Sequence, residues 1–251
     1  MAARIKIEDL SFSYSPDKEV LKRLWLEVNP GEKMGLIGPM GAGKSTLLLH
    51  LNGLLSGSGK VFIGDTGVTK RTLPEIRRKV GLVFQNPDDQ LFNPTVEEEI
   101  AFGPLNFGLS PDDVAAKCDY AIEAMRLRGL EKSPTHHLSM GERKRVALAT
   151  VLALDPEVIA FDEPFANLDP SMMTQLLDII NGLTATLLIV SQSMLPLISC
   201  CDRVAIINQG TIVAVGPVKE ILRDEELMRN NGLDLGFYKK IFRDFFKENS
   251  I

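Results

Sequence analysis

The stretch Gly38-Pro39-Met40-Gly41-Ala42-Gly43-Lys44-Ser45-Thr46 decides how this chain is read. It follows the apolar run Met34-Gly35-Leu36-Ile37, which reads as a buried strand, and precedes Leu47-Leu48-Leu49-His50-Leu51, which reads as a helix. Strand, glycine-rich turn, Lys-Ser and helix form the P-loop pattern in its required context. Glycines let the backbone fold back so that successive N–H groups point at one phosphate, and the helix N-terminus adds positive potential. Lys44 is then placed to reach the β- and γ-phosphates, and Ser45 to offer its hydroxyl to Mg²⁺. A chance match to this spacing is expected about once in a hundred chains of this composition, so an ordinary strand-to-helix turn is the weaker reading. The stretch implies a bound nucleoside triphosphate.

The surrounding composition is that of an ordinary globular protein. Its 251 residues suffice for one large α/β domain or two small ones. A net charge of −5 argues against a broad nucleic-acid-binding surface, so no nucleic-acid partner is expected. Cys118, Cys200 and Cys201 lack C-x-x-C spacing and read as buried thiols of a reducing compartment. With only His50, His136 and His137 beside them, a histidine-cysteine metal site is not expected. The N-terminus lacks the apolar core of a signal peptide, and no uncharged apolar run reaches about 18 residues. Any membrane role therefore needs a partner.

Outward from the P-loop, residues 4–14 alternate through Ile5, Ile7, Leu10, Phe12 and Tyr14, as an edge or antiparallel strand does. Val20 to Val28 reads as its return strand, leaving Tyr14 exposed at a strand end where an aromatic ring can stack on a base. Val80 to Phe84 is a short apolar strand ending on Gln85, at the carboxyl end where open α/β sheets bind ligands. Residues 95–133 read as mainly helical, with Thr95 as a cap, Glu97 to Glu99 in the first turn and a second helix through Ala121, Met125 and Leu127. Ser139 with Glu142 three residues on has capping-box spacing, ahead of a helix over Val146 to Leu154. Val158 to Phe161 is apolar and runs into Asp162 and Glu163. After a P-loop, such an aspartate holds Mg²⁺ and the following glutamate orients or deprotonates the attacking water. Asn167-Leu168-Asp169-Pro170 opens a helix, Thr186 to Val190 is a further core strand ending in Ser191-Gln192-Ser193, and Val204 to Val215 forms a hairpin. From Pro217 the chain reads as a helical tail, with Phe237, Ile241, Phe242 and Phe245 at helical spacing.

In this order the pieces resemble the nucleotide-binding subunit of an ABC transporter over residues 4–216. The run Val83 to Phe92 is similar to the ATPases of energy-coupling-factor importers, and Pro94 to Val96 with Ala101 to Pro104 to their cobalt and nickel branch. The resemblance implies an α/β fold: a P-loop NTPase core with an antiparallel β subdomain and an inserted helical subdomain. It divides the chain into an ATPase domain at 1–216, with the helical insertion at about 90–155, and a tail at 217–251. It also implies ATP and Mg²⁺ as ligands. Tyr14 stacks on adenine; Gly38, Pro39, Met40, Gly41, Ala42, Gly43, Lys44, Ser45 and Thr46 hold the phosphates; Ser45, Gln85 and Asp162 position the metal; Glu163 is the general base. Ser139 and Gly141 contact the nucleotide of a second ATPase subunit in a head-to-tail dimer, with Asp169 at the same seam. The loop from Gln85 to Phe92 meets integral membrane subunits, which puts the chain peripherally on the cytoplasmic face of the cell membrane.

Two positions depart from the family pattern. Met140 replaces the first glycine of the Leu-Ser-x-Gly-Glu signature, although Ser139 and Gly141 remain. Gln192 replaces the histidine that contacts the γ-phosphate; an amide donates a hydrogen bond there but cannot become a cation. The implied function is ATP hydrolysis driving import of cobalt, nickel or a vitamin, slowed by Gln192. Two alternatives stay open: a regulatory module that binds ATP and hardly turns over, and a soluble ATPase outside transport.

Overall fold

The computed structural model describes residues 1–233 and Gly236. The chain opens with the antiparallel strands β1 (Ile5–Ser15) and β2 (Lys18–Val28), then β3 (Lys33–Ile37) and helix α1 (Lys44–Leu51). Next come β4 (Ser58–Ile63), the short β5 (Thr66–Gly67), α2 (Leu73–Lys79) and β6 (Val80–Val83). Helices α3 (Val96–Asn106), α4 (Pro111–Ala124) and α5 (Met140–Leu152) separate β6 from β7 (Val158–Asp162). Then follow α6 (Pro170–Gly182), β8 (Thr186–Val190), α7 (Met194–Cys200), the hairpin β9 (Arg203–Asn208) and β10 (Thr211–Pro217), and the short α8 (Val218–Ile221) and α9 (Glu225–Asn230).

The strands form two sheets, one of four in the order β2-β1-β4-β5 and one of six in the order β10-β9-β3-β8-β7-β6. Within the first, β1 lies between β2 and β4, so the antiparallel reading holds and the edge reading does not. In the second, β9, β3, β8, β7 and β6 run parallel. Their sequences are apolar throughout because both faces are covered. Side chains alternate across the sheet, and the two faces build two cores. Ile159, Phe161, Leu187 and Ile189 pack under the helices on one face. Val158, Ala160, Leu188 and Val190 join α1 and the four-stranded sheet on the other.

Several element ends differ from the sequence reading, each for a local reason. Helix α4 stops at Ala124, because Arg126 turns left-handed at φ 53°. The Leu127 N–H then bonds the Ile122 carbonyl and the Arg126 N–H that of Glu123, a Schellman closure built without glycine. Strand β6 ends at Val83 because the Phe84 N–H donates to the Gln90 side chain, at 3.2 Å, instead of to a neighbouring strand. Helix α5 begins at Met140, directly after its Ser139 cap, and ends at Leu152 short of Leu154. Both capping boxes, Thr95–Glu98 and Ser139–Glu142, form. Cys200 and Cys201 are buried free thiols, whereas Cys118 is only half-buried. The tail is helical in α8 and α9; Phe237, Ile241, Phe242 and Phe245 lie outside the described residues. Among the described residues no helix is long and apolar enough to cross a membrane.

Among the described residues Phe161 is the largest fully buried side chain, and it sits in β7 one residue before Asp162. Phe161→Ala is expected to cost about 3–5 kcal/mol, seen as a lowered urea or thermal midpoint, and a loss under about 1 kcal/mol would mean the core closes over the gap.

Candidate functional site

The turn between β3 and α1 is shaped by what its glycines permit. A Cβ on Gly38 would lie 2.1 Å from the Ile207 carbonyl oxygen of β9, so only glycine fits there. Gly41 and Gly43 take φ of 75° and 104°, left-handed values that fold the backbone back on itself. Gly43 thereby becomes the cap of α1, whose first residue is Lys44. The Lys44 ammonium curls over this loop and donates to the Gly38 and Pro39 carbonyls at 2.8 and 3.0 Å. Burial lowers its pKa, while Glu163 and Asp162 pull it back up.

In front of the loop lies a cavity of about 300 Å³. Met40, Gly41, Ala42, Gly43, Lys44, Ser45 and Thr46 form its floor, Tyr14, Lys18 and Val20 one wall, and Gln85, Glu163 and Gln192 the other. Tyr14 is 56% exposed at the rim, stands edge-on to Phe12 at 4.9 Å, and shares a 3.2 Å hydrogen bond with the Thr46 hydroxyl. Its ring face is thus open and its orientation set.

The carboxylates come from the end of β7. Burial raises the pKa of Asp162, and a hydrogen bond from Ser45 and the charge of Lys44 oppose that. Asp162 Oδ1 is buried without a hydrogen-bond partner among the described residues. Glu163 is 6% exposed and left-handed at φ 48°, its N–H bonded to the Val190 carbonyl at 3.0 Å. One carboxylate oxygen accepts the Gln192 N–H at 3.0 Å and the other is buried without a hydrogen-bond partner among the described residues. Burial raises its pKa too, against the Gln192 hydrogen bond and Lys44. Unpartnered buried carboxylate oxygens beside a serine hydroxyl suit a hard divalent cation, so these residues fit Mg²⁺.

Ser139, Gly141 and Asp169 stand apart from this cavity, and none lines it. Gly141 and Asp169 meet through Met172: a Cβ on Gly141 would touch Met172, whose N–H donates to Asp169 at 2.9 Å, while Ser139 caps the helix that carries Gly141. The loop after Gln85 is anchored separately. Gln90 donates to the Ala147 carbonyl at 2.8 Å and the Thr150 hydroxyl at 2.9 Å, and Arg143 pairs with Asp88. Glu99 does not stand at the helix surface but is buried, accepting the Phe92 and Asn93 N–H groups at 2.8 and 2.5 Å. Phe92 itself is 66% exposed and packs edge-on against Phe102 at 4.7 Å.

Four residues of this arrangement were not singled out from the sequence. Lys18 and Val20 reach the cavity across the hairpin from Tyr14, and nothing in their local sequence marks them. Gln90 and Lys144 act through backbone carbonyls of distant segments, which leave no motif.

Fold and cavity together define a P-loop nucleoside triphosphatase with part of its signature displaced from its own phosphate site. A family model described as "ABC transporter" matches residues 21–166. Among similar proteins, an "Energy-coupling factor transporter ATP-binding protein EcfA" of Methanothermobacter thermautotrophicus is 44% identical over 92% of this chain and 76% of its own length. A "Putative ABC transporter ATP-binding protein" of Streptomyces avermitilis is likewise 44% identical, over 94% of this chain and 90% of its own. The solved structure of cbiO1 from Clostridium perfringens, part of the ABC transporter complex cbiONQ, superposes with a TM-score of 0.82 at 31% identity, covering 95% and 98% of the two chains. The chain belongs to the ABC transporter family, as one of its ATP-binding subunits, an ATP hydrolase coupled to transport.

Gly38→Ala is expected to weaken binding of a fluorescent ATP analogue about tenfold or more, because β9 and the loop must part to admit the methyl group. Unchanged affinity would show that the close approach to Ile207 is dispensable.

Proposed function

We propose that this chain is the motor subunit of an energy-coupling-factor importer, moving cobalt, nickel or a vitamin through separate membrane-embedded subunits. The observation that carries the reading is the separation of Ser139, Gly141 and Asp169 from the phosphate cavity. In this reading the cavity at Lys44 and the residues Ser139, Gly141 and Asp169 are halves of two different composite sites. Two copies, or this chain and a close relative, arranged head-to-tail complete both. The names of the EcfA and cbiO1 relatives support the importer class. The exposed Phe92–Phe102 pair, rigidly tied to α5 through Gln90, suits a membrane-subunit contact. The subunit then sits peripherally on the cytoplasmic face of the membrane, with no nucleic-acid partner.

In this reading Tyr14 stacks on adenine, and the N–H groups from Gly41 to Thr46 hold the phosphates. Lys44 exchanges the Gly38 and Pro39 carbonyls for phosphate oxygens, a gain for a buried cation. Ser45, Asp162 and Gln85 would hold Mg²⁺, which supplies neutralisation of the phosphate charge. Glu163 orients a water and takes its proton as the water oxygen attacks the γ-phosphorus and the bond to the ADP oxygen breaks. Its left-handed backbone and the Gln192 N–H fix where the carboxylate points. The Gln192 side chain donates to the γ-phosphate in place of histidine, without a full charge. A second reading, a slow regulatory module, rests on that one residue.

Glu163→Gln is expected to lower steady-state hydrolysis by about 10²–10⁴-fold while ATP binding persists and dimers accumulate on sizing columns. Gln192→His is expected to raise kcat; no gain would show that this position does not limit the rate. Importer function is tested by purifying the chain with co-expressed membrane subunits and measuring ATP-driven uptake of radioactive cobalt, nickel and vitamins into vesicles. Uptake of none of them, or no stable complex, would favour the readings outside import.

A further inference from the structure

Arg143, Lys144 and Arg145 follow one another near the start of α5, and each anchors a different segment to that helix. Arg143 pairs with Asp88 in the loop that follows Gln85. Arg145 donates to the Met125 and Arg126 carbonyls, at 3.1 and 2.8 Å, closing the end of α4. Lys144 points inward and is 7% exposed. Its ammonium donates to the carbonyls of Ala166 at 2.7 Å, Pro164 at 2.9 Å and Glu163 at 3.4 Å. All three belong to the loop between β7 and α6.

That loop is an unfavourable piece of backbone. It leaves β7 through Glu163 at φ 48° and meets α6 past Asn167 at φ 60°, two left-handed residues neither of which is glycine. Such conformations persist only where the surroundings over-determine them. The Glu163 N–H bond to Val190 holds one end, and Lys144 holds the carbonyl side, since an ammonium has three N–H groups and the loop turns three carbonyls toward it. The arrangement is costly, because a buried cation bonded only to neutral carbonyls loses its hydration. Burial accordingly pushes the Lys144 pKa down to about 8, with the charge of Glu163 working the other way. A methionine would fill the same space without that penalty. What the lysine adds is a fixed loop.

Resting on the reading that Glu163 is the general base, we propose that Lys144 is a positioning residue for hydrolysis. It holds the Glu163–Ala166 backbone so that the carboxylate faces the γ-phosphate. It does not line the phosphate cavity. Ser139 caps the same helix that carries Lys144.

The test uses the full chain and the variants Lys144→Met, Lys144→Arg, Glu163→Gln and the Lys144→Met/Glu163→Gln double mutant, each checked by thermal melting. Lys144→Met is expected to lower kcat about 10–100-fold, the scale of a misplaced catalytic group, while the KM for ATP and the affinity for a fluorescent analogue stay within about twofold. Lys144→Arg is expected to recover part of the rate through its own N–H donors. In the Glu163→Gln background, with residual hydrolysis read from radiolabelled phosphate, Lys144→Met should add little, because it acts through the carboxylate already removed. A raised KM with unchanged kcat, a Lys144→Arg as slow as Lys144→Met, or equal losses in both backgrounds would overturn the proposal. Should Lys144→Met fail to fold, Lys144→Gln carries the same cycle. A fast Glu163→Gln would remove the base assignment and this proposal together. A slow Glu163→Gln with a multiplicative Lys144→Met would leave the base standing and overturn Lys144 alone.

Discussion

Parallel pairing of β3 with β8, and of β8 with β7, is the constraint from which the rest of this molecule follows. Hydrogen bonds set Leu36 opposite Val190 and Val190 opposite Asp162. Parallel strands end at the same edge, so the turn after β3, the carboxylates after β7 and Gln192 after β8 must open side by side. Of the cavity's lining, Tyr14, Lys18 and Val20 alone arrive from the other sheet. The last hydrogen bonds of the ladder even enter the site: the Glu163 N–H bonds Val190 and the Gln192 N–H bonds Glu163.

Into this edge the chain brings one lysine and two carboxylates, burying Lys44 and Glu163 and half-burying Asp162. Burial disfavours charge on each, and opposite charge restores part of it, so the group is held together by mutual attraction at incomplete satisfaction. Lys44 makes do with carbonyls, and Asp162 and Glu163 each keep an oxygen without a partner. A phosphate for the lysine and a hard cation for the aspartate answer those deficits directly. Donors already fixed in place need little reorganisation when charge develops, and here electrostatic preorganisation is built from side chains that the protein itself satisfies incompletely.

How much of this could be read beforehand depends on whether a residue's role is local. The P-loop, the Thr95 and Ser139 caps, the helix opening at Asn167 to Pro170 and the carboxylates at the end of β7 are set by neighbours within four residues, and all are legible. The end of α4 is not, because the left-handed position that usually calls for glycine is taken by Arg126, whose carbonyl accepts a bond from distant Arg145. Nor is the end of β6, where a side-chain oxygen of Gln90 substitutes for a strand. Lys18 enters the site only through the curl of the β1–β2 hairpin, and Lys144 reads as one more basic residue on a helix face until the loop it holds is seen. A sequence shows which residue can make a bond; the fold decides which backbone it finds.

The strand order has a bearing on how the protein is born. Strand β3 and its phosphate loop are made early, but both of its neighbours, β8 and β9, come from beyond Thr186. While the ribosome works through α2 to α6, the apolar residues Met34, Leu36 and Ile37 have no strand on either side. Pairings this far apart in sequence form slowly and leave hydrophobic edges waiting. The growing chain therefore owns the nucleotide loop long before it owns a nucleotide site. Truncation anywhere ahead of β9 is expected to yield a chain for chaperones and proteases rather than a smaller ATPase.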